Sequence, residues 1–365
     1  MKDKNALQGI VGDLKGIWLR RGGKIPEAIM NTLDAIYPEG KRPIVVKRVR
    51  QESGWLFILA LSPGDCFNDF KKHLPYFQES TGGAVQITKQ GKAVMLRVLT
   101  EELQSEYTFK WEFEQYDKMA LPIPFGYSAA GMIVRDLADA PNLLVAGHPG
   151  AGKSNFLHVT AVSLLLSRSV YLCIIDPKRL EYGYLREKAL LITDDDEALR
   201  LLQGINKQID KRLDMLTKAG VVKVQDYEGD MPYIVLVIDE LAELADEECQ
   251  MELNRIVRLG RAAGICVVAA TQRPSSTIFK KWGDSKAMFA ATMCFHVRDE
   301  VNSRLVLDNE AASIIPNIPG RAIYQWDTQL EVQCMYLPIK KARQLLSGIE
   351  GVKMNVESPK RLSAR

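Results

Sequence analysis

The apolar positions of this chain fall into two regimes. Before about Lys118 they form short groups of strand or helix length, separated by turn residues. Gly22-Gly23 interrupts a basic opening stretch, and Pro26 suits the first turn of a helix over Glu27–Ile36. Val45–Arg50 and Trp55–Leu61 read as strands joined through Glu52-Ser53-Gly54, and Pro63-Gly64-Asp65 as a turn into a short helix from Cys66 to Phe77. Val85–Thr88 and Ala93–Leu99 pair as a hairpin around Lys89-Gln90-Gly91-Lys92. Aromatic residues at every second position (Tyr107, Phe109, Trp111, Phe113) predict one more strand between Thr100 and Lys118. Residues 43–120 are thus expected to form a small α+β domain, preceded by a basic helical extension over residues 1–42.

Leu121-Pro122-Ile123-Pro124 reads as a stiff connector, and beyond it the pattern changes. Leu143–Ala146, Val170–Ile175, Ile234–Ile238 and Ile265–Ala270 are near-continuous apolar runs, as in strands covered on both faces. Helical segments over Asp195–Lys218 and Asp246–Ala263 lie between them. Strands alternating with helices predict an α/β domain with a mainly parallel sheet over residues 121–345, followed by a basic tail over residues 346–365.

Composition alters this picture little. The 365 residues suffice for two domains, and 47% hydrophobic with 25% charged residues is ordinary for a globular protein. A formal net charge of +3 is too small to argue for nucleic acid by itself. Basic residues do gather in the first fifty positions (Lys15, Arg20, Arg21, Lys24 and Lys47 among them) and in the tail (Lys353, Lys360, Arg361). The six cysteines form no C-x-x-C pair, and most lie in apolar strand-like runs, so they read as reduced core thiols. The opening residues are polar and no apolar run approaches the ~18–20 residues that span a bilayer, which predicts a soluble, cytoplasmic protein, any membrane association being supplied by a partner.

The chemistry is concentrated after the first apolar run. Leu143–Ala146 leads into Gly147-His148-Pro149-Gly150-Ala151-Gly152-Lys153-Ser154, followed by Asn155 and a helix-compatible run. This is the G-x-x-x-x-G-K-[ST] phosphate loop, with a strand before it and a helix after it. Its glycines let backbone N–H groups curl around a polyphosphate, and the helix N-terminus adds positive potential there. Lys153 is expected to reach the β- and γ-phosphates of ATP and Ser154 to sit on Mg²⁺; His148 and Pro149 occupy variable positions and carry no specificity. Tyr233–Ile238 is a buried strand ending in Asp239-Glu240, which places two carboxylates at the carboxyl end of the sheet beside the loop. Asp239 is the candidate to hold Mg²⁺ with Ser154, and Glu240 the general base for the attacking water. The next strand runs into Thr271-Gln272-Arg273-Pro274, so Gln272 emerges at the same edge, where an amide can bond the γ-phosphate or the lytic water.

These stretches resemble the FtsK/SpoIIIE family of DNA-translocating ATPases, within the hexameric RecA-like motors. The likeness is carried by Pro141–Ser154, by Ile175-Asp176-Pro177-Lys178 with Glu181, by Asp239-Glu240, and most specifically by Gly260-Arg261-Ala262-Ala263-Gly264 through Ala270-Thr271-Gln272-Arg273-Pro274. Asn302–Asp308 and Gly320-Arg321-Ala322 extend it, over roughly Leu121–Leu337. The resemblance implies a RecA-like P-loop NTPase core and a homo-oligomer, a ring of six subunits, threading DNA by sequence-independent phosphate contacts. It also implies ATP bound between subunits, with an arginine of a neighbour completing the site. Arg304 and Arg212 are the candidates for that arginine, with Arg258 and Arg261 behind them. Asp176, Lys178 and Glu181 match a family signature and are expected to be structural or coupling residues. Residues Lys218–Gly229 and Thr277–Ser285 (Lys280, Lys281, Trp282) are candidate DNA-contacting loops.

Familiar cell-division members carry N-terminal membrane helices and a C-terminal DNA-reading module, whereas here 28 residues follow Leu337. The resemblance therefore favours a compact motor of a mobile element, coupling plasmid or chromosomal DNA to a conjugation channel or a relaxase partner. Two alternatives stay open: a protein-translocating ATPase of the type VII secretion kind, and a non-enzymatic, nucleotide-dependent assembly factor.

Overall fold

The computed structural model describes residues 24–38, 41–51, 54–62, 64–99, 103–111, 113–167, 170–179, 181–244, 246–272 and 288–349. The basic positions before Lys24, Arg273-Pro274, the Thr277–Ser285 loop and the tail from residue 350 lie outside them. The chain divides into two compact units: residues 1–103 with 129–131, and residues 104–128 with 132–365.

The first unit is α+β. Helix α1 (Ile25–Ile36) has Pro26 in its first turn, where the missing N–H leaves no bond unmade. Ile25, Ile29 and Leu33, spaced four apart, form its buried face. Strands β1 (Ile44–Gln51) and β2 (Gly54–Ala60) are followed by helices α2 (Phe67–Lys72) and α3 (Leu74–Thr81), and then by β3 (Ala84–Gln90) and β4 (Ala93–Leu99). The sheet order is β1-β2-β4-β3, antiparallel throughout. Its apolar face meets α1 and the two short helices around Phe57, Phe70 and Phe77. Two details differ from the sequence reading. The Cys66–Phe77 helix is broken at His73, ahead of Pro75, whose ring cannot continue a helix from the preceding turn. The helix of the supposed N-terminal extension packs into the core of this unit.

The second unit opens with a two-residue strand, β5 (Tyr107–Thr108), paired parallel to β16 (Met335–Tyr336). The alternating aromatics do not extend it: residues 113–116 form a 3₁₀ turn, and Phe109 is buried in the core of this unit. Nor is Leu121–Pro124 a linker. Leu121 is buried and accepts a place under Asp136, whose carboxylate takes the Ala120, Leu121 and Ala138 N–H groups. Strand β6 (Pro122–Ser128) begins there and β7 (Gly131–Asp136) follows.

The remaining elements are β8 (Asn142–Ala146), α4 (Lys153–Ser167), β9 (Tyr171–Ile175), β10 (Leu190–Ile192), α5 (Asp195–Ala219), β11 (Ile234–Ile238), α6 (Glu247–Leu259), β12 (Ile265–Thr271), β13 (Ala291–Phe295), α7 (Glu300–Leu307), α8 (Ala311–Ile314), β14 (Arg321–Gln325), β15 (Gln329–Gln333), β16 and α9 (Ile339–Leu345). The large sheet runs β10-β9-β11-β12-β8-β13-β14-β15-β6-β7. It is parallel from β10 to β13 and antiparallel from β13 to β6.

Successive residues of the parallel strands point to opposite faces, and each face has its own core. Leu143, Val145, Ile174, Val235 and Val268 join the α4 side, whereas Leu144, Ala146, Ile175, Leu236 and Val267 join the α5 and α6 side. Helix α4 is buried nearly all round, which explains why its sequence shows no polar stripe. Helix α5, by contrast, buries Leu201, Leu202, Ile205 and Ile209 and leaves its charged face outside.

Candidate active site

Strand register decides where the chemistry lands. Ile238 lies opposite both Ile175 and Ala269, and Ala146 lies opposite Thr271. The residues that follow these strands, namely Asp176, Asp239, Gly147 and Gln272, therefore leave the sheet along one edge. This is the carboxyl edge of a parallel sheet, where α/β folds place their ligands.

The loop from Gly147 to Gly152 is wedged between two backbone walls. Gly147 has φ +149°, and a Cβ there would stand 2.6 Å from Cβ of Phe295; Gly152 has φ +111°, and a Cβ would stand 2.6 Å from the Gly320 nitrogen. Glycine is the residue that satisfies both the conformation and the space. The Gly320 N–H donates to the Ala151 carbonyl at 2.8 Å, and the His148 N–H to the His296 carbonyl at 3.2 Å. The His148 ring meets Asn317 through Nε2 at 3.0 Å, while Pro149 and Gly150 are exposed at the loop tip. Ala151 is buried beneath it.

Lys153 is buried, and its Nζ donates to the Gly147 carbonyl at 2.7 Å and the His148 carbonyl at 3.1 Å. Burial lowers its pKa to about 8, against the opposing pull of Glu240 and Asp239. Ser154 opens α4 beside it. Asn155 turns the other way: its amide donates to the Met335 carbonyl at 2.7 Å, and its oxygen accepts from the Leu337 N–H at 2.9 Å. Its side chain clamps α4 to β16.

Both carboxylates after β11 are buried. Glu240 accepts the Gln272 backbone N–H on both oxygens, at 3.2 and 3.0 Å, so β12 fixes the orientation of the candidate base. Asp239 accepts the Tyr182 hydroxyl at 3.1 Å and lies 3.7 Å from Lys178 Nζ. Burial raises its pKa, and Lys178 and Tyr182 pull it back. Tyr182, His158 and Tyr184 were not evident from the sequence as parts of this site. One signal existed: Ser154 and His158 are four apart on α4 and share a face.

Residues 102–231 match the model of the FtsK/SpoIIIE family. The chain carries an FtsK/SpoIIIE domain. The DNA translocase FtsK of Chlorobaculum tepidum is 32% identical over 317 residues, covering 79% of this chain and 36% of that protein. The chain spans about a third of the length of the curated relatives it matches. Among solved structures, the pCW3 conjugation coupling protein TcpA, a monomer form with ATPgS, is similar with a TM-score of 0.63 at 22% identity, over 89% of this chain and 99% of that one. The cytoplasmic domain of the Thermomonospora curvata type VII secretion ATPase EccC is similar with a TM-score of 0.58 at 20% identity, over 66% of this chain and 32% of that one. At such identities these likenesses establish the fold, a RecA-like P-loop core with a mainly parallel sheet.

The two leading arginine candidates stand very differently. Arg212 is buried, donates to the carbonyls of Ala263 at 2.9 Å and Pro232 at 2.8 Å, and has its pKa lowered by burial to about 10. It fastens α5 to the Gly260–Gly264 turn, with its guanidinium committed to these two backbone carbonyls. Arg304 is half exposed on α7 and pairs with Glu300 and Glu310. The most diagnostic family stretch, Gly260–Gly264, is a packing turn: Gly264 (φ +69°) lies against Val224, and its carbonyl accepts the Ile234 N–H at 3.0 Å. Arg258 and Arg261 line a groove of about 510 Å³ together with Val222 and Lys223.

The oxygen donors Ser154 and Asp239 suit Mg²⁺ better than a soft metal. Among the described residues no group of three or more His, Cys, Asp or Glu is placed to hold an ion by itself. A sparse oxygen set is what Mg²⁺ uses when water and substrate phosphates supply its other ligands. Among the described residues no helix is long and apolar enough to cross a membrane.

Proposed function

We propose that this chain is an ATP-hydrolysing motor that translocates DNA, working as a homo-oligomeric ring, a hexamer, in the transfer of plasmid or other mobile-element DNA. The observation that carries the reading is the convergence of Lys153, Asp239, Glu240 and Gln272 on one sheet edge, in a chain whose residues 102–231 match the FtsK/SpoIIIE family. Lys153 gives up its two loop carbonyls for the β- and γ-phosphates. Ser154 and Asp239 would hold Mg²⁺, which when bound would supply positive charge to neutralise the phosphates. Glu240, oriented by the Gln272 N–H, takes the proton of the attacking water. The Gln272 amide monitors the γ-phosphate, and Arg304 reaches the site of the adjoining subunit once it leaves its glutamate partners.

DNA is gripped by phosphate contacts, since a motor must ignore sequence. A conjugation channel or relaxase is the partner class that fits such a motor, and the working place is the cytoplasm, at a membrane when the channel recruits it. The test is ATP hydrolysis with no DNA, single-stranded DNA and double-stranded DNA, each repeated with Glu240→Gln. The expected outcome is several-fold stimulation by DNA, abolished by the substitution. Hydrolysis indifferent to every DNA form but stimulated by a secretion-substrate peptide would move the reading to a protein translocase, the class of EccC.

A further inference from the structure

The turn after β9 brings a phenol and an ammonium to the two oxygens of Asp239. Asp176 anchors it: its side chain is fully buried, its Oδ2 accepts the Glu181 N–H at 3.4 Å, and its backbone carbonyl accepts the Arg179 N–H at 3.1 Å. Arg179 holds φ +64°, a strained value for a residue with a side chain, and its Nε donates to the Thr193 carbonyl at 3.1 Å. Tyr182 follows, fully buried, and its carbonyl accepts the Leu185 N–H at 2.8 Å to start a 3₁₀ turn over Gly183–Leu185. Its ring packs on that of His158 in α4, with centroids 4.8 Å apart. His158 is itself held on both sides, Nδ1 lying 3.1 Å from the Tyr184 hydroxyl and Nε2 3.5 Å from the Glu181 carboxylate.

A buried phenol needs an acceptor for its proton. Among the described residues Tyr182 finds it in Oδ1 of Asp239, at 3.1 Å. The backbone of Asp239 is fixed from the same side, since its N–H donates to the Ile175 carbonyl at 3.1 Å. Packing alone asks for an apolar ring at position 182, and the hydroxyl is the part of the side chain that packing leaves unexplained. Its effect is on the carboxylate. With Oδ1 tied to a rigid donor, the group no longer turns freely about its Cβ–Cγ bond, and Oδ2 is the oxygen left to offer. That oxygen lies 3.7 Å from Nζ of Lys178, an exposed side chain, while Asp239 itself is buried.

We propose that Tyr182 is a positioning residue for the divalent cation bound with the nucleotide: its hydroxyl holds Oδ1 of Asp239 and so presents Oδ2 to the cation. The inference rests on the proposed nucleotide site and assigns the turn after β9 a task in cation binding. Lys178 acts in the opposite sense at the same oxygen, because an ammonium beside Oδ2 repels a cation that approaches it.

The test measures binding of a fluorescent ADP analogue to the full chain, with EDTA and across a Mg²⁺ titration, together with the thermal midpoint. Tyr182→Phe keeps the ring and removes the hydroxyl. In it the Mg²⁺ concentration giving half the enhancement rises by about tenfold or more, as when an outer-shell partner is lost, while Mg²⁺-free binding stays within about twofold. Lys178→Gln removes the ammonium and lowers the same concentration by about threefold, a small shift because that charge is partly solvated. Opposite shifts from two neighbours of one carboxylate are not what a general loss of packing produces. A Mg²⁺ titration unchanged in Tyr182→Phe overturns the proposal. So does a parallel fall of Mg²⁺-free binding and thermal midpoint, which marks a purely structural role. If Tyr182→Phe does not fold, Lys178→Gln decides: a fall supports the presentation of Oδ2, and no change or a rise overturns it. Wild-type protein that binds ADP without any Mg²⁺ enhancement overturns the proposal and leaves the nucleotide site standing. Wild-type protein that binds no ADP overturns both.

Discussion

Lys153 shows at single-residue scale how function is held against stability. Its ammonium is buried and satisfied by two carbonyls, with no carboxylate among the described residues in direct contact, and burial brings its pKa down to about 8. The fold therefore opposes the charge that phosphate binding requires. Lys153→Met removes that charge and keeps most of the volume. The expected outcome is a thermal midpoint equal to or above that of the wild type, with nucleotide affinity reduced by about 100-fold or more, since charge-assisted bonds to phosphate are lost. Calorimetric titration with ADP and a melting curve on the same sample check both halves. A variant that loses binding because it unfolds would refute the account. Lys153 was legible in the sequence because its spacing in the motif is fixed. Tyr182 and His158 were not, since nothing local distinguishes a tyrosine or histidine that points at a carboxylate 57 or 23 residues away from one that merely packs.

At the scale of elements, legibility followed burial on both faces. Strands β8, β9, β11 and β12 read directly as apolar runs because helices cover them on either side, and their predicted limits lie within a residue of the observed ones. Strand β15 did not, since Gln329 and Glu331 are exposed and polar, and β14, buried at all but its last residue, is bounded by polar Arg321 and Gln325 and is placed by pairing across the sheet. The aromatic alternation around Tyr107 misled for a related reason. Phe109 is buried in the core of this unit, while Trp111 stacks on Tyr116 and donates to the Ser167 hydroxyl, so the rings serve packing and not a ladder. Helix α5 was legible end to end. Asp194 accepts the Asp196 and Glu197 N–H groups at 3.1 and 3.3 Å, and Gly220 closes the other end at φ +70°. Asp194→Ala leaves two first-turn donors without a side-chain cap, while Asp195, Asp196 and Glu197 keep negative charge at the dipole's positive end. It should lower stability by about 1 kcal/mol, read from the urea midpoint at constant slope, and Asp194→Asn should recover most of the loss.

At the scale of the whole molecule the cysteines report on both faces of the large sheet at once. Cys66 is exposed, whereas Cys173, Cys249, Cys266, Cys294 and Cys334 are buried. Burial pushes the thiol of Cys249 up to about 11 and those of Cys173 and Cys294 up to about 12, from the ordinary value of 9.0; Cys266 and Cys334 move further in the same direction. Buried Tyr182 and Tyr324 and half-buried Tyr184 are raised as well, again by burial. A group whose pKa is raised on folding keeps its proton in the native state after the unfolded chain has released it. Its stabilising share is complete below the unfolded value and is lost as pH climbs towards the folded value. For the thiols that window opens at pH 9. Each buried thiol then withdraws up to about 1.4 kcal/mol per pH unit until its own folded value is reached. The urea midpoint should fall steeply above pH 9, where the five buried thiols outweigh the opposite contribution of Lys153, and Cys173→Val, which keeps the packing without the titration, should make that fall shallower. The same burial sets reactivity, because the thiolate is the nucleophile. At pH 8 a maleimide should label one thiol in native protein, at Cys66, and all six in urea. Rapid native labelling at Cys266 or Cys294 would mean that the strands flanking the phosphate loop open to solvent, and the wedge that Phe295 and Gly320 make around Gly147 and Gly152 would not hold.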